Sequence, residues 1–364
     1  MKVKALFSEY HTLSYYPGQK PKQTKDIGVK PYMILRTSPA GWNVLNLWNG
    51  TSILIPWRMI DLFLGLNVWG GARMLREEAE DGAERFILGF TKKIIIANQM
   101  GKLADTIFSS STIDSPIAFL GGLAYMFQIY FDFSAYSDMA IGMGRMFGFK
   151  FLENFNFPYI SKSITEFWRR WHISLSTWFR DYVYIPLGGN RKGIKRQILN
   201  MLIVWTLTGF WHGAEWNFII WGLYYFVFLV LEKYLLKKVL DKIPSIFSHL
   251  YTLIIVYIGW IIFRCDNLND LTVFFKSLFS FNITTVSLNE LSVYIETYWV
   301  YFVLAFIFQM PVYKLVIEKI DAIKNKRTKN LLICLRYVFL ISIFIISIMF
   351  LAYSSYNPFI YFRF

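Results

Sequence analysis

The stretch QILNMLIVWTLTGFWHGAEWNFIIWGLYYFVFLVLE, residues 197–232, contains two long apolar runs separated by a short break. The first run ends at His212 and the second begins at Trp216, with only Gly-Ala-Glu between them. A helix rises about 1.5 Å per residue, so runs of about 17–20 residues suit a bilayer core of about 30 Å. The stretch therefore predicts two consecutive membrane helices, the first of which ends in a histidine.

Similar apolar runs recur along the chain, at residues 116–131, 250–263, 297–313 and 331–353. The composition agrees with them, because only 17% of the residues are charged, below the roughly 25% that is usual in soluble domains. The fold class we predict is all-α, a polytopic integral membrane protein.

Two other segments are too polar to span. Residues 150–190 predict short helices that lie at the membrane interface or dip into it. Residues 84–97 predict an amphipathic or interfacial helix, because Lys92 and Lys93 interrupt the apolar run.

The net charge of +14 comes from basic residues that cluster beside the apolar runs, in the loops 190–199, 232–242 and 313–329. The loop 266–296 carries a single basic residue, Lys276. By the positive-inside rule the basic loops face the cytoplasm and contact membrane lipid. No basic segment alternates with stacking aromatic residues in a soluble context, so we expect no nucleic-acid binding.

The two cysteines, Cys265 and Cys334, lie far apart without the CxxC spacing of a zinc site or redox pair. The two interior histidines, His172 and His212, are likewise not spaced as HxxxH or HExxH. We expect no metal site and no bound cofactor.

His212 lies in the block TGFWHGAEWNF, and His172 lies in FWRRWHISLSTWFRDY. A buried imidazole stays neutral at pH 7 and can accept a proton. Gly213 leaves space beside His212, and Trp211 excludes water from it. These features suit a general base that deprotonates an alcohol during acyl transfer. The residues alone leave open a second interpretation, that His212 only forms a hydrogen bond between helices.

FDFSAYSDMAIG, residues 131–142, places Asp132 and Asp138 beside an apolar helix. Carboxylates within a membrane protein are candidate functional groups. They also fit a structural role, in which they cap the next helix or pair with Arg169 or Arg170.

Residues 153–175 contain a turn at Asn156-Phe157-Pro158, followed by Ser163 and Glu166 with the spacing of a capping box. Arg169 and Arg170 follow, and they could bind the phosphates of a nucleotide-type donor or anchor an interfacial helix to lipid headgroups. The residues predicted to bind donor or substrate are Asp132, Asp138, Asn156, Arg169, Arg170 and Trp211.

Three blocks, YFDFSAYSDMAIG, ENFNFPYISKSITEFWRRWHISLSTWFRDYVYIPLGGNRKG and GFWHGAEWNFIIWG, resemble the signature blocks of the membrane-bound O-acyltransferases. The similar branch is that of the bacterial alginate O-acetylation membrane proteins, and the likeness covers about residues 80–364. The resemblance implies a helical bundle with interfacial or re-entrant helices around a central tunnel. It also implies that the essential histidine is His212 and the second recurrent histidine is His172.

The resemblance further implies a multi-pass protein of the bacterial inner membrane. Such a protein takes an acetyl group from a cytoplasmic thioester, acetyl-CoA, and passes it across the membrane to an envelope polysaccharide. An exported esterase-like (SGNH) acetyltransferase is the implied partner. Alternatives are D-alanyl transfer to a teichoic-acid polymer, a membrane transporter, or an inactive remnant.

Residues 1–78 depart from the family pattern. The stretch WNVLNLWNGTSILIPWRMIDLFLGLNVWGG carries Arg58 and Asp61 and predicts no membrane span, since each central charge costs about 2.5–3.5 kcal/mol on insertion scales. We therefore predict an atypical segment 1–78, arising from truncation or a shifted reading frame, and a membrane domain 79–364.

Overall fold

The computed structural model describes residues 44–46, 52–54, 68–110 and 113–354, with side chains from residue 78 onward. The chain divides into two units, Met1–Trp57 and Arg58–Phe364. In the first unit the described residues form an antiparallel hairpin of β1 (Val44–Asn46) and β2 (Ser52–Leu54). Most of the predicted atypical segment and the last ten residues lie outside the described residues. The boundary at residue 78 and the shifted frame therefore stay predictions.

The described part of the second unit is mostly helical. Its helices are α1 (Val68–Thr91), α2 (Asn98–Phe108), α3 (Ser115–Met146), α4 (Ile164–Arg170), α5 (Ile173–Phe179), α6 (Gly193–His212), α7 (Trp216–Leu231), α8 (Lys237–Leu240), α9 (Ser245–Arg264), α10 (Leu268–Phe279), α11 (Thr285–Phe308), α12 (Val312–Asp321) and α13 (Lys326–Tyr353). Three π-helical segments, Lys92–Ala97, Arg180–Tyr184 and Glu232–Leu236, and a 3₁₀ turn, Pro158–Ile160, connect some of them.

Five helical segments of the described residues are long and apolar enough to cross a membrane. They are Ser115–Met146, Trp216–Leu240, Ser245–Arg264, Thr285–Phe308 and Lys326–Tyr353. The all-α prediction is confirmed, and the protein is embedded in the membrane. The predicted span 197–213 forms helix α6, but α6 is not among the five because its basic, amide and threonine side chains lower its mean hydropathy.

Helix α3 is the central helix of the bundle. Nearly all of its apolar segment is buried, and it packs against α1, α2, α9, α10 and α11. In contrast, α11 and α13 leave most of their apolar side chains exposed. An exposed, apolar helix surface in a membrane protein is the surface that contacts lipid. The bundle thus buries α3 and offers α11 and α13 to the bilayer.

The carboxylates of α3 pair with the basic residues that precede α2. Asp132 lies 2.6 Å from Lys93 Nζ, and Asp138 lies 2.8 Å from Lys92 Nζ and 2.9 Å from Arg85 Nη2. The predicted pairing with Arg169 or Arg170 is therefore wrong. The sequence shows which helices carry charge, but it does not show which helices pack together.

Helices α6 and α7 cross at a very short distance because each helix places a glycine against the backbone of the other. A Cβ on Gly209 would lie 2.4 Å from the carbonyl oxygen of Phe218, and one on Gly222 would lie 2.3 Å from that of Trp205. These contacts exclude any larger residue without a shift of the helices. They fix the end of α6, where His212 is the last helical residue, against the start of α7.

Candidate active site

His172 and His212 line the same cavity, although they lie 40 residues apart in the chain. The cavity has a volume of about 510 Å³, within the range of about 300–1,000 Å³ that is usual for small-molecule sites. Its wall is largely apolar, and it includes the aromatic side chains of Trp168, Trp171, Trp205, Trp221, Trp260 and Phe263. Both histidines are half-buried, and both line the cavity.

Aromatic edges and faces hold the imidazole of His212. Its ring centroid lies 4.9 Å from Phe263 and 5.1 Å from Trp221, both nearly perpendicular to it. The space beside Gly213, which the sequence suggested was open for substrate, is taken up by the ring of Phe218, 2.6 Å from where a Cβ would lie. Gly213 thus makes room for Phe218, and the cavity reaches His212 from another side.

His172 adopts a backbone conformation that is rare for a residue with a side chain. Its φ of 44° and ψ of 55° lie in the left-handed region, at the junction of α4 and α5. Such conformations cost of order 1–3 kcal/mol and concentrate at functional sites. The reversal at His172 turns the chain back, so that residues of both short helices, such as Trp168 and Thr177, line the cavity.

Trp211 connects the two histidines. Its ring centroid lies 4.7 Å from that of His212 and 6.0 Å from that of His172. The indole is about half exposed and is not part of the cavity wall. Trp211 therefore covers the histidine pair from outside the cavity.

Burial keeps both imidazoles neutral. Neither histidine lies in one of the five segments that could span the membrane. Desolvation lowers the pKa of His172 to about 3, and desolvation together with the nearby His172 lowers the pKa of His212 to about 3. A neutral imidazole has one nitrogen with a free lone pair, which is the form a general base requires.

The two neighbouring arginines of the RRWH block have different environments. Arg169 is exposed and lines the cavity, as does Arg180. Arg170 is held by the carboxylate of Glu166, 2.9 Å away, and donates to the carbonyl of Asn156 at 3.0 Å. The side chain of Asn156 is exposed and is not in the cavity wall. Of the predicted donor-binding residues Asn156, Arg169 and Arg170, the structure thus places only Arg169 at the cavity.

Asp132 and Asp138 are also outside the cavity wall. Their carboxylates face α1 and the π-helical segment after it, where they form the ion pairs described above. The structure therefore brings His172, His212 and Arg169 together and leaves Asp132, Asp138, Asn156 and Arg170 at other positions.

Two caps fix helix α4, which carries Trp168 and Arg169. Ser163 Oγ accepts the backbone N–H of Glu166 at 3.0 Å, as the capping-box spacing predicted, while the Glu166 carboxylate accepts from Lys162 N instead of Ser163 N. The buried carboxylate of Glu232 accepts the backbone N–H groups of Ile164 and Thr165 at 2.5 and 2.9 Å. A carboxylate at a helix N-terminus accepts hydrogen bonds from the unpaired backbone N–H groups, and its negative charge interacts favourably with the helix dipole.

Two residues that organise the site, Glu232 and Asn154, were not predicted from the sequence. Nδ1 of His172 lies 3.2 Å from Oδ1 of Asn154. An asparagine beside Glu153 in a polar turn carries no distinct pattern. Glu232 follows the apolar run 216–231 directly, and a carboxylate at that boundary was a signal that could have been used.

Comparison with known proteins finds a matching family model and several similar proteins. The family model for the membrane-bound O-acyltransferase (MBOAT) family matches residues 81–269, more than half of the chain, and this range contains both histidines. The probable alginate O-acetylase of Azotobacter vinelandii is 49% identical over 207 residues, which are 57% of this chain and 42% of that protein.

Two relatives named for other activities also match. The peptidoglycan O-acetyltransferase of Helicobacter pylori is 42% identical over 57% of this chain and 40% of its own length. The teichoic acid D-alanyltransferase of Bacillus subtilis is 36% identical over 41% of this chain and 40% of its own length. The chain thus spans about two fifths of the length of the curated relatives it matches.

Proposed function

Because the chain belongs to the membrane-bound O-acyltransferase family, as its motifs predicted, we propose that it transfers an acyl group from a thioester to a hydroxyl group in the cavity shared by His172 and His212. The observation that carries this proposal is the meeting of the two histidines in one cavity large enough for the end of a thioester donor. His212 is the general base, and His172 positions the donor or the acceptor.

The chemical step requires one proton acceptor. A neutral imidazole nitrogen of His212 takes the proton of the acceptor hydroxyl while its oxygen attacks the carbonyl carbon of the thioester. The new C–O bond forms, the C–S bond breaks, and the imidazolium returns the proton to the leaving sulfur. General-base catalysis of this type contributes about 10²–10⁴-fold to the rate. The low pKa of His212 favours the neutral starting form.

The donor we propose is acetyl-CoA, and the acceptor is an envelope or extracellular polysaccharide. The names of two relatives, an alginate O-acetylase and a peptidoglycan O-acetyltransferase, support an acetyl group and a glycan acceptor. Arg169 at the cavity suits the phosphates of a nucleotide-type donor. In this proposal the protein crosses the bacterial inner membrane several times. The hydroxyl acylated in the cavity carries the acetyl group to the outer side, where an exported esterase-like transferase moves it to the polysaccharide, the final acceptor.

D-alanyl transfer to a teichoic-acid polymer is the second candidate. It is supported by the 36% identity to a teichoic acid D-alanyltransferase. Both candidates use the same histidines and the same bond changes, and they differ in the acyl group and the acceptor. Mass spectrometry of the esters released from the envelope polymers by mild base distinguishes acetate from D-alanine.

The test replaces His212 with Gln in the full chain and expresses it in a strain that lacks the gene. We expect the base-labile ester content of the envelope polysaccharide to fall by at least about 100-fold, because the base is lost. His249→Gln is the matched control, since His249 is half buried, bonds to the carbonyl of Ser161 and is not in the cavity wall. Immunoblots of membranes verify equal protein levels. Ester content that persists in His212→Gln would reject the role of His212.

A further inference from the structure

Asn154 contacts the imidazole of His172 and the backbone of the two residues that follow it. Its carbonyl oxygen accepts the backbone N–H of Ile173 at 3.0 Å, and its side-chain Oδ1 accepts the backbone N–H of Ser174 at 3.2 Å. Oδ1 also accepts the hydroxyl of Ser174 at 2.8 Å and lies 3.2 Å from Nδ1 of His172. One asparagine thus bonds to three consecutive residues around the left-handed turn.

The orientation of the Asn154 amide follows from this network. A backbone N–H can only donate, so the atom that faces Ser174 N must be the amide oxygen. The amide nitrogen then points the other way and donates to Ser137 Oγ on α3, at 3.2 Å. The reversed amide would place two donors against each other at Ser174. The fixed backbone group therefore decides which end of the amide faces the imidazole.

The amide orientation in turn decides the protonation of His172. Oδ1 is an acceptor, so Nδ1 of His172 must carry a hydrogen to bond with it. The hydroxyl of Ser174 also lies 3.3 Å from Nδ1, but its single proton is used in the shorter bond to Asn154. With the proton on Nδ1, the lone pair of the neutral ring is on Nε2.

We propose that Asn154 is a positioning residue that holds His172 as the neutral Nδ1–H tautomer, with Nε2 free to accept a proton or hydrogen bond from the reacting groups. The proposal rests on the proposed function, because it assigns the Nε2 lone pair to acyl transfer. The bonds to Ile173 and Ser174 also offset the cost of the left-handed conformation at His172. Asn154 thus sets both the direction and the tautomer of the ring.

The first test measures the tautomer directly. The full chain is labelled with ¹⁵N-histidine, placed in lipid bilayers and studied by solid-state NMR, with the His172 signals assigned by their loss in His172→Gln. We expect a protonated Nδ1 and an unprotonated Nε2 in the parent protein and in Asn154→Asp, whose carboxylate keeps the acceptor. Asn154→Leu should lose this preference. Ser137→Ala, which removes only the partner of Nδ2, should keep it.

The second test measures transfer of radiolabelled acetyl from acetyl-CoA to isolated cell envelopes. Asn154→Leu should lower kcat by about 100-fold, as expected for a misplaced catalytic group, with the KM for acetyl-CoA unchanged. Asn154→Asp should restore most of kcat. Its charge stabilises the imidazolium of His172, so the acid limb of its pH profile should move to higher pH.

The two tests separate the possible failures. An unprotonated Nδ1 in the parent protein, or a tautomer that Asn154→Leu leaves unchanged, would overturn the role of Asn154 whatever the activity. The predicted tautomer in a protein that transfers no acyl group would overturn the proposed function. A fall in kcat in Asn154→Leu that Asp fails to restore, at normal protein level, would also reject the positioning role.

Discussion

Lys93 and Asp132 form a nearly buried ion pair across the interface between α3 and the π-helical segment that precedes α2. Lys93 Nζ lies 2.6 Å from Asp132 Oδ1, and the side chains are 11% and 1% exposed. Removing one partner of such a pair leaves a charge in a medium that solvates it poorly, whereas removing both can be close to neutral. The pair therefore contributes to the assembly of the bundle.

Lys93→Met and Asp132→Leu should each reduce the amount of folded protein in membranes, because each single change removes the opposite charge from beside a buried one, at a cost of about 3–5 kcal/mol. The double variant should recover much of this loss. The measurement is the yield of monodisperse protein after detergent extraction, followed by its apparent melting temperature. The control is the exposed pair Lys314 and Glu318, 4.0 Å apart, where single changes should have little effect. A double variant no better than the singles would contradict this account.

The acyl-transfer activity should not follow an ordinary histidine titration. Burial lowers the pKa of His172 and His212 to about 3, so both rings remain neutral as the pH falls through 6.5. We expect kcat/KM to stay level from about pH 8 to about pH 5, since this parameter reports the ionisation of the free enzyme. An acid limb with its midpoint near 6.5 would show that the essential base is not desolvated as the structure indicates.

This pH profile needs a stability control, because the same shifts affect folding. Between the folded and unfolded pKa values the unfolded chain binds more protons, so the stability of the folded state rises with pH across this range. The contribution of the two histidines to this stability is fully present above about pH 6.5 and is lost as the pH falls toward 3. Melting temperatures recorded at each pH separate loss of activity by protonation from loss by unfolding.

The sequence predicted the helices well because their signals are local. The predicted run 297–313 overlaps helix Thr285–Phe308, which begins earlier because Thr284 and Ser287 cap each other, at 3.1 and 3.0 Å. It ends earlier because Pro311 follows it. Caps and prolines act within one turn, so they can be read without knowledge of packing.

The site was only partly predictable because it depends on contacts between distant segments. The histidines were identified by their burial in apolar blocks and by the family motifs. The pairing of Asp132 with Lys93, and of Asn154 with His172, depends on how helices and turns meet in space. Two adjacent arginines, Arg169 and Arg170, have nearly the same sequence context and yet opposite surroundings.

The adjacent arginines offer a matched pair for testing where the donor binds. If Arg169 contacts the phosphates of acetyl-CoA, Arg169→Gln should raise the KM for acetyl-CoA about tenfold, because a hydrogen bond to a charged group contributes about 1.5–3 kcal/mol. Its kcat should change little, since the phosphates lie far from the thioester. Arg170→Gln should lower the apparent melting temperature instead, because it breaks the bonds to Glu166 and Asn156. Raising the salt concentration should increase KM for the parent protein more than for Arg169→Gln, since screening weakens an exposed charge contact. An equal change of KM in both variants would show that neither arginine binds the donor directly and that the phosphates lie elsewhere.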